Sequence, residues 1–369
     1  MPVSSPDARL PAYSTVSTSL ALHSDHALRA LVDAAAPIGV GIGGKAALVE
    51  VAGIPVFVKR IPLTDLERRA EHGRSTANLF EMPLFSHYGV GLIGSPGFGA
   101  WRELAVHIMT TNWVLAAEYE GFPLLYHWRV LPDTTPLPEE LADIDRAVAY
   151  WDDSPRVRRR IEALRDSSAS IALFLGYIPN TLHDWLNGQF EAGDEAADRA
   201  CLMVERELAA GVGFMNSRGL LHLDAHFGNI LTDGRRLYFG DYGLALFRGF
   251  DLTAEEAAFF DRNQSYDRGF AVSYLVNWLI TALYGLRGED RETMVRAFAA
   301  GESPEGLPAG GASVLLRHAP VAAAMGAFTR AFQQESRRTP YPDREMRRLL
   351  VQGPPQPDSA GAGSRVKPS

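Results

Sequence analysis

"LLHLDAHFGNILTDGRRLYFGDYGLAL", residues 220 to 246, is mostly apolar, as a buried hairpin would be, yet it carries six side chains that can do chemistry. They are His222, Asp224, His226, Asn229, Asp233 and Asp241. The Asp233-Gly234 pair between two apolar runs is a strong hairpin signal. Because a hairpin brings its outer ends together, Asp224 and Asn229 are expected to lie close to Asp241. The stretch therefore predicts a pocket lined by three oxygen-bearing side chains.

Such a group of oxygen atoms suits a hard cation. Mg²⁺ takes only one or two ligands from the protein and completes its shell with substrate phosphates and water. Asn229 and Asp241 are the natural ligands in this stretch. Asp224, five positions before Asn229, is then left free to accept a proton from a hydroxyl group.

An upstream block, residues 37 to 63, reads "PIGVGIGGKAALVEVAGIPVFVKRIPL" and predicts an antiparallel hairpin after a cluster of glycines. Glycines allow the backbone to approach phosphates closely, and Lys59 can place a positive charge on them. Alone, the glycines would also suit a simple turn and Lys59 a surface position. Their order relative to residues 220 to 246 favours a phosphate site.

Together these motifs resemble the protein kinase-like superfamily. "HLDAHFGN" matches the H-x-D-x-x-x-x-N catalytic loop of that superfamily, and "DYG" is similar to its D-F-G metal motif. Gly39-x-Gly41-x-x-Gly44 resembles its glycine-rich loop, and "VFVK" resembles V-A-I-K. The four elements occur in the family's order over roughly residues 35 to 290.

The resemblance implies ATP and Mg²⁺ as cofactors and assigns a role to each matching residue. Asp224 would be the catalytic aspartate and Asp267 the residue that braces the catalytic loop. Asn229 and Asp241 would be the metal ligands. The nucleotide would be held by Gly39, Gly41, Gly44, Lys59 and the backbone of Gly176, Tyr177 and Ile178. For the glutamate that pairs with Lys59, helix periodicity favours Glu103, while Glu67, Glu71 and Glu81 are alternatives.

The sequence favours one class of phosphate acceptor and leaves alternatives open. "DYGLA" and the glycine-rich loop favour the hydroxyl of a protein Ser or Thr. His226 stands where typical protein kinases have lysine, so the loop is similar to that of aminoglycoside phosphotransferases, and no A-P-E triplet follows "DYG". The alternatives are a small-molecule hydroxyl, transfer of the nucleotide, and a non-catalytic ATP-binding pseudokinase.

The order of the predicted elements indicates an α+β, bilobal protein kinase-like fold, with a small β-rich N-lobe and a larger helical C-lobe. Residues 1–30 would be a lead-in and residues 31–179 the N-lobe, with a mostly helical insertion at about 133–170. Residues 180–350 would be the C-lobe. Residues 351–369, rich in Pro, Gly and Ser, would be a disordered tail.

Composition limits the partners and the location. The net charge of -8 and the pI of about 5.7 argue against nucleic-acid binding, and the arginine run at 156–160 is expected on a solvated helix face. The single cysteine, Cys201, is expected in the core and fits a reducing cytoplasm. The apolar segment 270–286, interrupted by Ser273, Asn277 and Thr281, is expected to be a buried helix and not a membrane span.

Overall fold

The computed structural model describes residues 6–41, 44–134, 136–304 and 309–352, and its fold is α+β as predicted. The strands are β1 (Ala36–Gly41), β2 (Gly44–Val51), β3 (Ile54–Leu63), β4 (Leu125–Pro132), β5 (Ala169–Gly176), β6 (Asn180–Thr181), β7 (Leu220–Leu221), β8 (Ile230–Thr232), β9 (Leu237–Phe239) and β10 (Leu246–Phe247). The helices are α1 (Pro6–Ala21), α2 (Asp25–Asp33), α3 (Asp65–Arg68), α4 (Ala100–Leu115), α5 (Glu139–Ala142), α6 (Ile144–Tyr150), α7 (Pro155–Arg165), α8 (Leu182–Glu191), α9 (Asp194–Ser217), α10 (Ala254–Arg262), α11 (Tyr266–Tyr284), α12 (Gly288–Ala299), α13 (Ala309–Gln334) and α14 (Asp343–Gln352).

The first five strands form an antiparallel sheet in the order β1-β2-β3-β5-β4. In β3, Lys59 is paired with Ala46 of β2 and Leu173 of β5, so it lies in the middle of the sheet. Side chains alternate between the two faces of a strand. On one face, Ile61 and Leu104 share a buried cluster, which places α4 against the sheet.

The other side of the sheet is covered by α1 and α2, which contact β2 and β4. These helices occupy most of the segment that was predicted to be a lead-in. Their buried side chains, such as Val16 and Leu28, belong to the same apolar cluster as Val58 of β3. The N-terminal segment is therefore part of the core that holds the sheet.

The predicted hairpin is present as β8 and β9 of a three-stranded sheet, β6-β8-β9. Asp233 Oδ1 accepts hydrogen bonds from the backbone N–H groups of Arg235 (2.9 Å) and Arg236 (3.1 Å), as turn aspartates do. Gly234 has a φ of 85°, which glycine adopts without strain. The hairpin brings Gly240 N to 3.0 Å from the carbonyl oxygen of Asn229.

The remaining core is helical, with α9, α11 and α13 packed against one another. Cys201 in α9 is buried as predicted. In the described parts of the chain, no single helix has the length and apolarity needed to cross a membrane. Within those same parts, only α11 and α12 taken together reach that length and composition, and the chain bends by 110° between them.

The segment 133–170 contains the predicted helices, α5 to α7, but the expectation for its arginine run was wrong at Arg160. This side chain is buried, and its NH1 donates to Glu67 Oε2 at 2.9 Å. Arg160 follows Val157 by three residues and precedes Leu164 by four, so the helical period places all three on the buried face of α7.

Several predictions fall outside the described residues. They concern positions 1–5 of the lead-in, positions 42–43 between Gly41 and Gly44, and positions 353–369 of the predicted tail.

The contact between α9 and β9 gives a test of the packing. A Cβ atom added to Gly211 would lie 2.1 Å from Phe239 Cε2, whereas one added to Gly213 meets nothing within 4 Å. Gly211→Ala should therefore lower the free energy of unfolding by roughly 1–3 kcal/mol, as overpacking does. Gly213→Ala should raise it by roughly 0.5–1 kcal/mol through helix propensity. Urea denaturation of both variants checks the pair, and equal effects would contradict the packing.

Candidate functional site

Asp267, at the start of α11, fixes the backbone of the loop that carries Asp224. Its Oδ2 accepts a hydrogen bond from His222 N at 2.8 Å, and its Oδ1 accepts one from Leu223 N at 2.7 Å. Leu223 has a φ of 65°, which is unfavourable for a leucine. The two hydrogen bonds hold the strained residue in place, and this is the bracing contact expected of Asp267.

His222 ties the same loop to the strand end before Asp241. It is fully buried, and its Nε2 donates to the carbonyl oxygen of Gly240 at 3.0 Å. Burial lowers the pKa of His222 to about 4, so the ring is neutral. His222 therefore holds two backbone segments of the site together.

Asp224, Asn229 and Asp241 line one cavity of about 850 Å³, as the hairpin argument predicted. Asn229 Nδ2 donates to the backbone oxygen of Asp224 at 3.0 Å and to its Oδ2 at 3.1 Å. Burial and the charge of Asp241 raise the pKa of Asp224 well above its ordinary value. Asp224 is therefore a stronger proton acceptor than a solvated aspartate.

Lys59 joins the sheet to this cavity. Its Nζ lies 2.7 Å from Glu103 Oε1 and 2.9 Å from Asp241 Oδ1. The side chains of Lys59 and Glu103 are 10% and 4% exposed, whereas that of Asp241 is 37% exposed. The buried ammonium thus has one fixed partner in α4 and a second partner that faces the cavity.

The pKa values of the three groups follow from their positions. Burial alone would lower the pKa of Lys59, but the charges of Asp241 and Glu103 raise it above its ordinary value. Burial would raise the pKa of Asp241, but the Lys59 charge and hydrogen bond bring it down to about 2. Burial raises the pKa of Glu103 despite its contact with Lys59. Asp241 therefore keeps its negative charge at neutral pH.

The three other glutamates that were alternatives as the partner of Lys59 lie elsewhere in the structure. Glu67 is buried, but it accepts a hydrogen bond from Ala100 N at the start of α4 (2.7 Å) and pairs with Arg160. Glu71 and Glu81 are exposed. The partner of Lys59 is therefore Glu103, and Glu67 instead fixes the helix that carries Glu103.

Asn229 and Asp241 fit a magnesium ion by their donor atoms. Asn229 Nδ2 donates to Asp224, so the amide oxygen Oδ1 is the Asn229 atom that would bind a cation. Asp241 has a second carboxylate oxygen besides the one that contacts Lys59. Within the described residues, no cluster of three or more His, Cys, Asp or Glu side chains could hold a metal, so Mg²⁺ would need other ligands from phosphates and water.

Of the residues predicted to form the nucleotide site, Glu103 lines the cavity. Among the described residues, neither Lys59 nor the segment Gly176, Tyr177 and Ile178 lines the cavity. Gly176 ends β5, and its N–H donates to the carbonyl oxygen of Leu124 at 2.8 Å. Gly39 pairs with Ala46, and Gly41 with Gly44, at the end of the β1–β2 hairpin.

His226 lies between Asp224 and α11. Its Nδ1 accepts a hydrogen bond from Gly228 N at 3.0 Å, and its Nε2 is 4.0 Å from Asp224 Oδ2. Burial lowers its pKa. His226 is thus a neutral group at the cavity wall.

The sequence interpretation missed two walls of the cavity. One is the loop "GVGLIGSPGFG", residues 89–99, where a Cβ on Gly89 would lie 2.0 Å from Asp224 Oδ1. This loop repeats the G-x-G-x-x-G spacing, which was the available signal. The other is α11, whose polar interruptions Ser273, Asn277 and Thr281 all line the cavity. Their spacing of four residues places them on one helix face.

Comparison with known proteins gives no match, either to a model of a protein family or to a curated protein. The chemistry of the site is therefore inferred from its residues and their geometry.

The buried His87 gives a test of the packing next to the site, based on how stability changes with pH. It is buried against Phe98, its Nδ1 donates to the carbonyl oxygen of Leu244 at 2.8 Å, and burial with the nearby Arg102 charge lowers its pKa to about 3. In the unfolded chain a histidine takes up a proton near pH 6.5. His87 therefore contributes stability above that pH, and this contribution is lost as the pH falls towards 3.

His87→Asn retains a donor for Leu244 but cannot be protonated. The free energy of unfolding of the wild type relative to this variant should fall by about 2 kcal/mol between pH 7 and pH 5. Urea denaturation at several pH values measures the difference, with His26→Gln, at an exposed position, as control. A difference that does not change with pH would show that His87 is not buried as a neutral ring.

Proposed function

We propose that this chain is an ATP- and Mg²⁺-dependent phosphotransferase with the bilobal protein kinase-like fold. In this proposal the sheet and α4 form the small lobe, and residues 180–350 form the large lobe. The observation that carries it is the position of Lys59, within 3 Å of both Glu103 and Asp241, because Asp241 shares a cavity with Asp224 and Asn229. A buried cation beside three oxygen donors suits the handling of phosphate groups.

Each group has a defined task. Lys59 contacts the α- and β-phosphates of ATP, and Glu103 holds the ammonium in position. Backbone groups of Gly39, Gly41 and Gly44 bind the phosphates, and those of residues 176–178 bind the adenine. Asn229 and Asp241 would hold Mg²⁺, which neutralises the charge of the phosphates when it is bound.

Asp224 orients the acceptor hydroxyl. Its side chain is 22% exposed and lines the cavity, so a hydroxyl group can reach it. Its raised pKa favours acceptance of the hydroxyl proton as the oxygen bonds to the γ-phosphorus and the bond to ADP breaks. Phosphoryl transfer depends mainly on this positioning and on charge stabilisation.

Two acceptor classes are candidates. The "DYGLA" motif favours a Ser or Thr hydroxyl of a protein. The cavity of about 850 Å³ beside Asp224 favours a small-molecule alcohol, because this volume is in the range of small-ligand pockets. With either acceptor, the proposed location of the protein is the cytoplasm.

Asp224→Asn tests the proposal. An asparagine oxygen can still accept the hydrogen bond from Asn229, so the loop should be retained while the proton acceptor is lost. With ATP labelled at the γ-phosphate, transfer to an acceptor should fall by roughly 10²–10⁴-fold, and ATP affinity should stay within a few-fold. Asp184→Asn, an exposed position on α8, is the matched control.

The labelled products separate the alternatives. γ-label in protein supports a Ser or Thr acceptor, and γ-label in a small-molecule fraction supports the second class. Transfer of α-label would mean that the nucleotide is transferred, and full activity of Asp224→Asn would refute the role of this residue. ATP binding without any transfer, across protein and small alcohol acceptors, would contradict the proposed activity.

A further inference from the structure

The cavity beside Asp224 has a second end, formed by α11 and α12. Along α11, an aromatic stripe of Phe270, Tyr274 and Trp278 runs next to the polar stripe of Ser273, Asn277 and Thr281, and all six residues line the cavity. The ring of Tyr274 lies 6.2 Å from that of His226, next to Asp224. Thr281 is the last cavity residue of α11 and lies farthest along the helix from Asp224.

Arg291 of α12 lies at this far end. It lines the cavity, and its NH1 is 3.4 Å from Thr281 Oγ1. Its Nε is buried and has no hydrogen-bond partner. Among the residues that the structure describes, no carboxylate forms a salt bridge with Arg291; the neighbouring Glu292 pairs with Arg296 and Arg330 instead. A buried guanidinium donor without a partner is costly.

Apart from Asp224 and Asp241, the other charged side chains in the described part of the cavity wall have partners. Arg160 is paired with Glu67, Glu103 is paired with Lys59, and Glu140 Oε2 accepts a hydrogen bond from Gly94 N at 3.1 Å. The cavity therefore has acidic oxygens at the Asp224 end and an uncompensated positive charge at the Arg291 end.

The two ends of the cavity are separated by a known number of residues along α11. Tyr274 and Thr281 are seven residues apart on α11, which corresponds to about 10 Å at the helical rise. The α11 wall between the aromatic ring next to His226 and the hydroxyl next to Arg291 is therefore about 10 Å long.

We propose that the acceptor is a small molecule with a hydroxyl group at one end and a carboxylate or phosphate group at the other. This inference rests on the proposed phosphotransferase function. The hydroxyl lies at Asp224, and the anionic group is bound by Arg291, whose planar guanidinium suits either anion through paired hydrogen bonds. The aromatic stripe contacts the apolar middle of the molecule.

Matched probes test the anion site without catalysis. Wild type, first loaded with Mg²⁺ and a non-hydrolysable ATP analogue so that Lys59 is covered, is titrated calorimetrically with 8-hydroxyoctanoate, 8-hydroxyoctyl phosphate and the neutral 8-hydroxyoctanamide. At least one anionic probe should bind about tenfold more tightly than the amide, as a charge-assisted hydrogen bond provides. The two anionic probes separate carboxylate from phosphate recognition.

Two arginine variants test whether Arg291 causes the preference for an anionic probe. Arg291→Gln should abolish it, while Arg287→Gln, which removes the same charge from an exposed position, should retain it. Equal binding of all three probes by wild type, or a preference that survives Arg291→Gln, would overturn the inference. If the analogue does not bind, the titrations are made without it. A preserved anion preference with no γ-phosphate transfer would count against the proposed function alone.

Discussion

The site depends on one buried charge, the ammonium group of Lys59. Without partners, burial would force it to lose its proton, since a lone charge is poorly tolerated inside a protein. Glu103 and Asp241 stabilise it from two directions, at 2.7 and 2.9 Å. This contact connects β3, α4 and the segment after the β8–β9 hairpin, and so it links the sheet to the cavity that contains Asp224.

Buried polar contacts from other elements fix the groups around Lys59. Glu67 binds the first turn of α4 and Arg160 of α7, so the helix that carries Glu103 cannot shift freely. Asp267 holds Leu223 at positive φ on the other side of the cavity. Asp241 also has a positive φ, 59°. Strained residues of this kind persist where the surrounding structure determines them, and here they flank Asp224.

Local signals predicted the part of the site that is close in sequence. The Asp233-Gly234 turn places Asn229 and Asp241 together by the chemistry of a few neighbouring residues. Helix periodicity favoured Glu103 but left three other glutamates as alternatives, because the contact with Lys59 depends on packing between distant segments. The buried pairing of Arg160 and the cavity wall on α11 also depend on packing between distant segments. In the sequence, the polar side chains of α11 look like interruptions of an apolar helix, because the cavity that they line cannot be seen there.

Binding of ATP to the wild type and to Asp241→Asn, measured by calorimetry with and without Mg²⁺, tests the central claim most directly. If Asp241 neutralises Lys59 and also provides an oxygen for Mg²⁺, the cation should strengthen ATP binding to the wild type by about tenfold or more. In Asp241→Asn that gain should largely disappear, while ATP alone still binds through Lys59. Equal effects of Mg²⁺ in the two proteins, or no ATP binding to the wild type, would contradict the account.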